Sequence, residues 1–185
     1  MWPDEELLEE IALEEVAEAR YLGSILSADG SDAPDAKVRM AKASERYRQL
    51  RPMLEDRTLP LALRVRALKS FAYPTLTYAS ETWALTQRQR KDLDIWWRKH
   101  LRRMAGTRWQ DHVSNDALLA MTGCKNLMVM VGNRRLRRAG HVARYPWQRI
   151  ARQVLYVDWG ATRVGVRANN APDWRKQVSE KLIRH

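Results

Sequence analysis

Seven arginines and no acidic residue stand between positions 134 and 152: Arg134, Arg135, Arg137, Arg138, Arg144, Arg149 and Arg152. With no carboxylate in the run, local ion pairs cannot neutralise it. The cation used is arginine rather than lysine, a planar fork that grips phosphate oxygens two at a time. Polyphosphate binding is the chemistry this composition suits, and positions 134–138 are its densest part. Two ordinary uses compete with it. A charge run is usually a solvated face, and these arginines could instead pair within the chain with the acidic segment 4–18, which would then act as an intramolecular mimic of nucleic acid.

A second basic stretch, Arg90, Lys91, Arg98, Lys99, Arg102 and Arg103, surrounds the pair Trp96-Trp97. Arg98, Lys99, Arg102, Arg103 and Arg108 therefore join Arg134, Arg135, Arg137, Arg138 and Arg144 as expected contacts to a nucleic-acid backbone. Trp97 and Trp109, set among these cations, are the expected platforms for stacking a base. Adjacent helical positions diverge by about 100°, so one ring of the pair should face the core and the other its margin. The commoner use of such rings is to fill gaps between helices.

Other chemistries fit less well. His100, His112, His141 and His185 offer no His-x-x-x-His or Cys/His cluster with metal-ligand spacing, so no metal or other cofactor is expected. Cys124 is the single cysteine, which excludes an internal disulfide and reads as a buried thiol. Pro172-Asp173 followed by Glu180-Lys181 has the composition of a nuclease site. The acid and lysine there are adjacent and in a helical setting, whereas such a site needs them one residue apart on a strand. No catalytic residue is expected.

Formal net charge is +11 over 185 residues, yet residues 1–20 contain eight acids and one arginine, which leaves +18 on the rest. A body this basic attracts polyanions at long range. The acidic N-terminus resembles neither a secretory signal nor an arginine-rich transit peptide, and an intracellular setting, nucleus or organelle, is expected. No apolar run approaches the roughly 20 residues of a membrane-spanning helix.

The elements that must position these residues are mostly helical. Hydrophobic residues make up 45% of the chain and glycine and proline are few. Good helix formers at residues 4–19 predict an acidic helix. Residues 21–26 predict a short strand or connector ending in the turn-like Ser27-Ala28-Asp29-Gly30. Apolar positions at spacings of three and four (Met40, Ala43, Tyr47, Leu50, Leu54) predict a helix from about 33 to 50. A third should run from the Thr58-Leu59-Pro60 cap to about Tyr73, where Pro74 ends or kinks it. Thr86 reads as the N-cap and Gly106 as the C-terminal stop of a helix at 87–105. Further helices are expected at 114–121, 127–142, 148–157 and 174–183.

Several blocks in this order resemble LINE-type (non-LTR) retrotransposon reverse transcriptases. Tyr21-Leu22-Gly23-Ser24-Ile25-Leu26-Ser27-Ala28-Asp29-Gly30 is similar to the segment that leaves the family's palm. Lys37 to Leu50, with Arg39, Lys42, Ala43 and Tyr47, is similar to the first thumb helix. Tyr73 to Leu85, ending Ala79-Ser80-Glu81-Thr82-Trp83-Ala84-Leu85, resembles the family's L-x-Y-G-S-E-T-W-x-L, with Ala79 in place of glycine. Leu101-Arg102-Arg103-Met104-Ala105-Gly106-Thr107-Arg108-Trp109-Gln110-Asp111 resembles L-R-R-[IM]-x-G-x-x-W-x-D. Arg134-Arg135-Leu136-Arg137-Arg138-Ala139-Gly140-His141-Val142 resembles R-R-L-R-W-x-G-H-V. Pro172-Asp173-Trp174-Arg175 is a fainter echo of a tail motif.

The resemblance covers roughly residues 21–159 and implies the thumb and post-thumb region alone. The family's chemistry needs metal-binding aspartates in a Y/F-x-D-D turn upstream of the Y-L-G block, and no such turn is present. The expected fold is all-α with at most one or two short strands. It comprises an acidic N-terminal helix (1–20), a thumb-like helical domain (21–85), a basic helical post-thumb unit (86–160), and a loop with a short helix (161–185). The expected function is non-catalytic binding to the backbone of RNA or an RNA/DNA duplex. A domesticated structural subunit of a large protein or ribonucleoprotein assembly is the rival expectation.

Overall fold

The structure is a computed structural model that describes residues 15–156. It is mostly helical, with a single two-stranded antiparallel sheet among the described residues. The order is β1 (Glu18–Tyr21), β2 (Ser24–Ser27), α1 (Ala33–Leu54), α2 (Leu61–Leu76), α3 (Gln87–Ala105), α4 (Asn115–Thr122), α5 (Leu127–Ala143) and α6 (Ile150–Tyr156). The helices expected at 33–50, 58–73, 87–105, 114–121, 127–142 and 148–157 are all present. The helix expected at 174–183, and most of the one at 4–19, fall outside the described residues.

One expectation is corrected at its end. Propensity favours a helix through residues 15–19, yet Glu18 and Ala19 pair with Ser27 and Leu26 in a β ladder. Ala28 also donates its amide to the carbonyl of Ala17 at 2.9 Å. The reason lies in the turn between the strands. Leu22 and Gly23 have φ of 47° and 84°, the positive values a two-residue hairpin turn demands. Once that turn forms, the ladder satisfies the backbone groups that a helix would otherwise have used.

Both prolines placed near helix ends are accommodated. Pro52 sits in the last turn of α1 and Pro74 in the last turn of α2, which runs on to Leu76. The carbonyl left over by Pro74 belongs to Ser70, at an exposed position where water can serve it. Capping places α3 as its sequence predicts. The Thr86 side chain accepts from the Gln89 amide and the Gln89 side chain accepts from the Thr86 amide. Gly106 closes the helix in the left-handed conformation, and Thr107 donates back to Arg102.

One hydrophobic cluster includes residues from both sides of Leu85: Leu54, Leu68, Leu76 and Trp83 meet Leu93, Trp97, Leu101, Leu118 and Leu127. Buried polar side chains tie the helix ends to this cluster. The Arg64 guanidinium donates to the Leu59 carbonyl at 3.1 Å, to Leu54 at 3.4 Å and to Met104. The Leu54 and Met104 carbonyls belong to the C-terminal ends of α1 and α3, where helix dipoles present partial negative charge.

At the other end Asp35, 2% exposed, collects three donors. Its carboxylate accepts the Ile25 amide at 3.1 Å and the Trp83 indole N–H at 2.9 Å, and pairs with Arg39 at 3.4 Å. Arg39 in turn donates to the Gly23 carbonyl and lies 4.2 Å from the Tyr78 ring centre. Hairpin, α1 and the 77–86 loop are thereby joined through one carboxylate. Asp35→Ala should lower unfolding free energy by about 3–5 kcal/mol, because it leaves the Arg39 charge buried without its counterion. Urea denaturation followed by circular dichroism measures this.

His100 lies between two aromatics, 4.3 Å from Tyr47 edge-on and 4.0 Å from Trp96, ring centre to ring centre. Its Nδ1 stands 2.8 Å from the Trp96 carbonyl, which can only accept, so Nδ1 carries the proton. Burial, and then the charges of Arg103 and Lys99, hold the imidazole below its ordinary value of 6.5. The unfolded chain therefore takes up this proton first on acidification. His100 leaves stability undiminished above pH 6.5, and stability falls as the pH drops through the window down to the folded-state value. His100→Phe should flatten that part of the profile, read as the difference in thermal midpoint between variant and wild type across mildly acidic pH.

Candidate nucleic-acid interface

Along α5 the inward positions are Val131, Gly132, Arg135, Ala139 and Val142, the spacing of one helix face. Arg135 falls on this apolar stripe and is 7% exposed. Its guanidinium donates to the Trp83 carbonyl. Burial, and next the charge of Arg90, push its pKa down to about 10, against a smaller pull from the Asp32 carboxylate; the group stays a cation at neutral pH. Asp32 is held in turn by the Ala84 amide, and burial raises its pKa. Arg135 is thus a structural cation, and its assignment as a phosphate contact is corrected.

The other arginines of α5 and its C-cap, Arg144, turn outward from this stripe. Arg134, Arg137, Arg138, His141 and Arg144, together with Glu81, line an open groove of about 460 Å³. From Arg134 to Arg144 the helix rises about 15 Å, enough to follow several consecutive phosphates. Glu81 is the one carboxylate in the lining among the described residues. It pairs with Arg134 at 3.6 Å, while Arg134 also donates to the Thr77 hydroxyl at 3.2 Å. Arg137, Arg138 and Arg144 form no ion pair among the described residues. Four guanidinium groups against one carboxylate leave a net positive surface open to solvent.

The cations of α3 are not part of this groove. Arg98 pairs with Asp94 at 3.7 Å, and Asp94 also accepts from the Asn126 amide at 3.1 Å. Arg102 donates to the Val113 carbonyl at 3.0 Å and to Asn115 at 3.1 Å, fastening the connection that leads to α4. Lys99 and Arg103 occupy the neighbouring stripe, exposed, where their charges act on His100. Arg108 is exposed, and its amide donates to Asp111 at the short helical turn Trp109–Asp111.

The two stacking candidates separate. Trp97 is 1% exposed with its indole N–H on the Lys125 carbonyl, so it is a core residue and not a platform for a base. Trp96 covers the margin, its N–H on the Ser44 hydroxyl at 2.8 Å. Trp109 is 81% exposed. Trp147, which periodicity did not single out, is 56% exposed just past the end of α5. Its signal in the sequence is its place directly after Pro146, between two expected helices. Cys124 is buried, and no group of three or more His, Cys, Asp or Glu side chains that could hold a metal ion occurs among the described residues.

No protein-family model, curated protein or solved structure matches this chain.

The two kinds of arginine on α5 should respond oppositely to substitution. Arg135→Met should destabilise by about 2–3 kcal/mol, since the Trp83 carbonyl and the Asp32 charge lose a charged partner. Arg137→Gln and Arg138→Gln, in open solvent, should stay within about 0.5 kcal/mol of wild type. Denaturant midpoints of the three variants measure the contrast.

Proposed function

We propose that this chain is a non-catalytic module that binds the phosphate backbone of nucleic acid, RNA or an RNA/DNA duplex, through the groove on α5. The observation that carries the reading is the convergence of Arg134, Arg137, Arg138 and Arg144 on one face, three of them without an ion-pair partner among the described residues. Planar guanidinium groups on a rigid helix keep a fixed spacing, and phosphate contacts of this kind set register without reading sequence. The likeness of five sequence blocks to the thumb and post-thumb region of LINE-type reverse transcriptases accords with such a role. A lipid surface is the other common polyanion. No helix among the described residues is long and apolar enough to cross a membrane, and the residues that line the groove are arginines, His141 and Glu81.

Binding by this means releases counterions, so affinity should fall steeply with salt. Arg137→Gln, Arg138→Gln and Arg144→Gln combined keep helix propensity nearly constant while removing three charges. On single-stranded and duplex oligonucleotides of unrelated sequence, the slope of log K against log salt should shrink by about 2–3, each lost contact contributing roughly 0.7–0.9. Fluorescence anisotropy measures the slope, and circular dichroism checks the fold. A folded triple variant with the wild-type slope on both ligands would overturn the reading and assign these arginines to a protein partner in a larger assembly.

A further inference from the structure

Resting on the reading of the α5 groove as a phosphate-binding surface, we propose that the groove serves a single strand, with Trp147 as the platform on which an unpaired base stacks. The groove ends at Arg144, the residue that closes α5, and the chain turns there through Tyr145 and Pro146 to Trp147. His141, in the lining, stands edge-on to Tyr145 at 4.9 Å between ring centres, and its Nε2 lies 3.0 Å from the tyrosine hydroxyl. An aromatic side chain of the groove wall is therefore joined to the segment that carries Trp147.

That segment is held by α6 and the turn before it. Arg152 donates to the Tyr145 carbonyl at 2.7 Å, and its guanidinium carbon lies 5.6 Å from the centre of the Trp147 ring. Gln153 donates to the Trp147 carbonyl at 3.1 Å. The indole is thus positioned before any ligand arrives, which lowers the ordering cost of stacking upon it. Trp109 is more exposed, but among the described residues no ring or cation contact orients it.

The pattern of the surface matches one strand of nucleic acid better than two. Beyond Trp147, Ile150 at 75% and Val154 at 46% exposure, one turn apart on α6, add apolar surface on a helix that packs against α5. A single strand presents the same sequence of chemistries, phosphates along one side and flat apolar faces along the other. In a duplex those faces are stacked on one another and closed to an indole, so only an unpaired base can occupy Trp147. A purely apolar protein surface would gain nothing from the adjoining Arg137, Arg138 and Arg144.

The test compares wild type, Trp147→Ala and Trp147→Phe on three ligands: a homopolymeric RNA strand, the duplex of that strand with its complement, and an abasic DNA strand that offers phosphates without bases. Trp147→Ala should weaken binding to the RNA strand about tenfold. Binding to the duplex and the abasic strand should be unchanged, and Trp147→Phe should retain most of the single-strand affinity. Trp147 is on the surface, so all three proteins should fold alike, checked by circular dichroism. Equal losses on all three ligands, or no loss on the RNA strand, would overturn the stacking role while leaving the groove's phosphate role intact. Wild-type protein that binds none of the three in a salt-sensitive way would instead overturn the groove reading itself.

Discussion

The rotation of α5 about its own axis depends on the contact between the Arg135 guanidinium and the Trp83 carbonyl. A helix that buries small residues such as Gly132 and Ala139 has little shape to fix its phase, since small side chains slide past one another at low cost. A buried cation is different. It must find acceptors or counter-charge, and only one rotational setting brings Arg135 to Trp83 and toward Asp32. That setting turns Arg134, Arg137, Arg138 and Arg144 outward together. Trp83 cannot move to accommodate another phase, because its indole N–H is fixed on Asp35, which also holds the hairpin and Arg39. The groove on the surface is therefore referred, through two hydrogen bonds, to a carboxylate in the core.

Arginine has two separate uses in this molecule, and net charge alone does not distinguish them. Arg39, Arg64 and Arg135 are each less than 10% exposed and are committed to carbonyls or carboxylates of the protein. Their long apolar stems pack while the planar head ties down helix ends or loops, and such cations contribute little to attraction at long range. The exposed set on α5 has one acid within reach and keeps its charge available. A chain with a formal charge of +11 thus directs only part of that charge toward a partner.

Much of the fold was legible in the sequence because capping chemistry is local. Thr86 and Gly106 fix α3 to the residue. The failure at residues 15–19 has the complementary cause. Helix propensity there is real, but a hairpin turn that closes at Leu22-Gly23 is decided by pairing with residues further on. Within the site, the legible part was the acid-free arginine run. Which member points inward follows from the helix period, since Arg135 stands four residues from both Val131 and Ala139, whereas its charge alone points to the surface. Trp96 and Trp97 divide between margin and core as adjacent positions must, whereas which of them is buried depends on helices from elsewhere in the chain. Trp147 carries no periodic signal because it lies between two helices.

The 77–86 loop connects these observations. It presents the Thr77 hydroxyl and Glu81 to Arg134, the Trp83 carbonyl to Arg135 and the Ala84 amide to Asp32 within ten residues. A loop that satisfies so many buried groups cannot vary its path without exposing a charge to the apolar core, so its conformation is as constrained as a helix. Glu81 then acquires a particular meaning. Among the described residues it is the only carboxylate lining the groove, and its ion pair with Arg134 is placed by the same loop. The pair orients Arg134 along the groove wall while removing its charge from competition with Arg137, Arg138 and Arg144. Attraction for a polyanion is thereby concentrated toward the Arg144 end, the end at which the chain turns to Trp147.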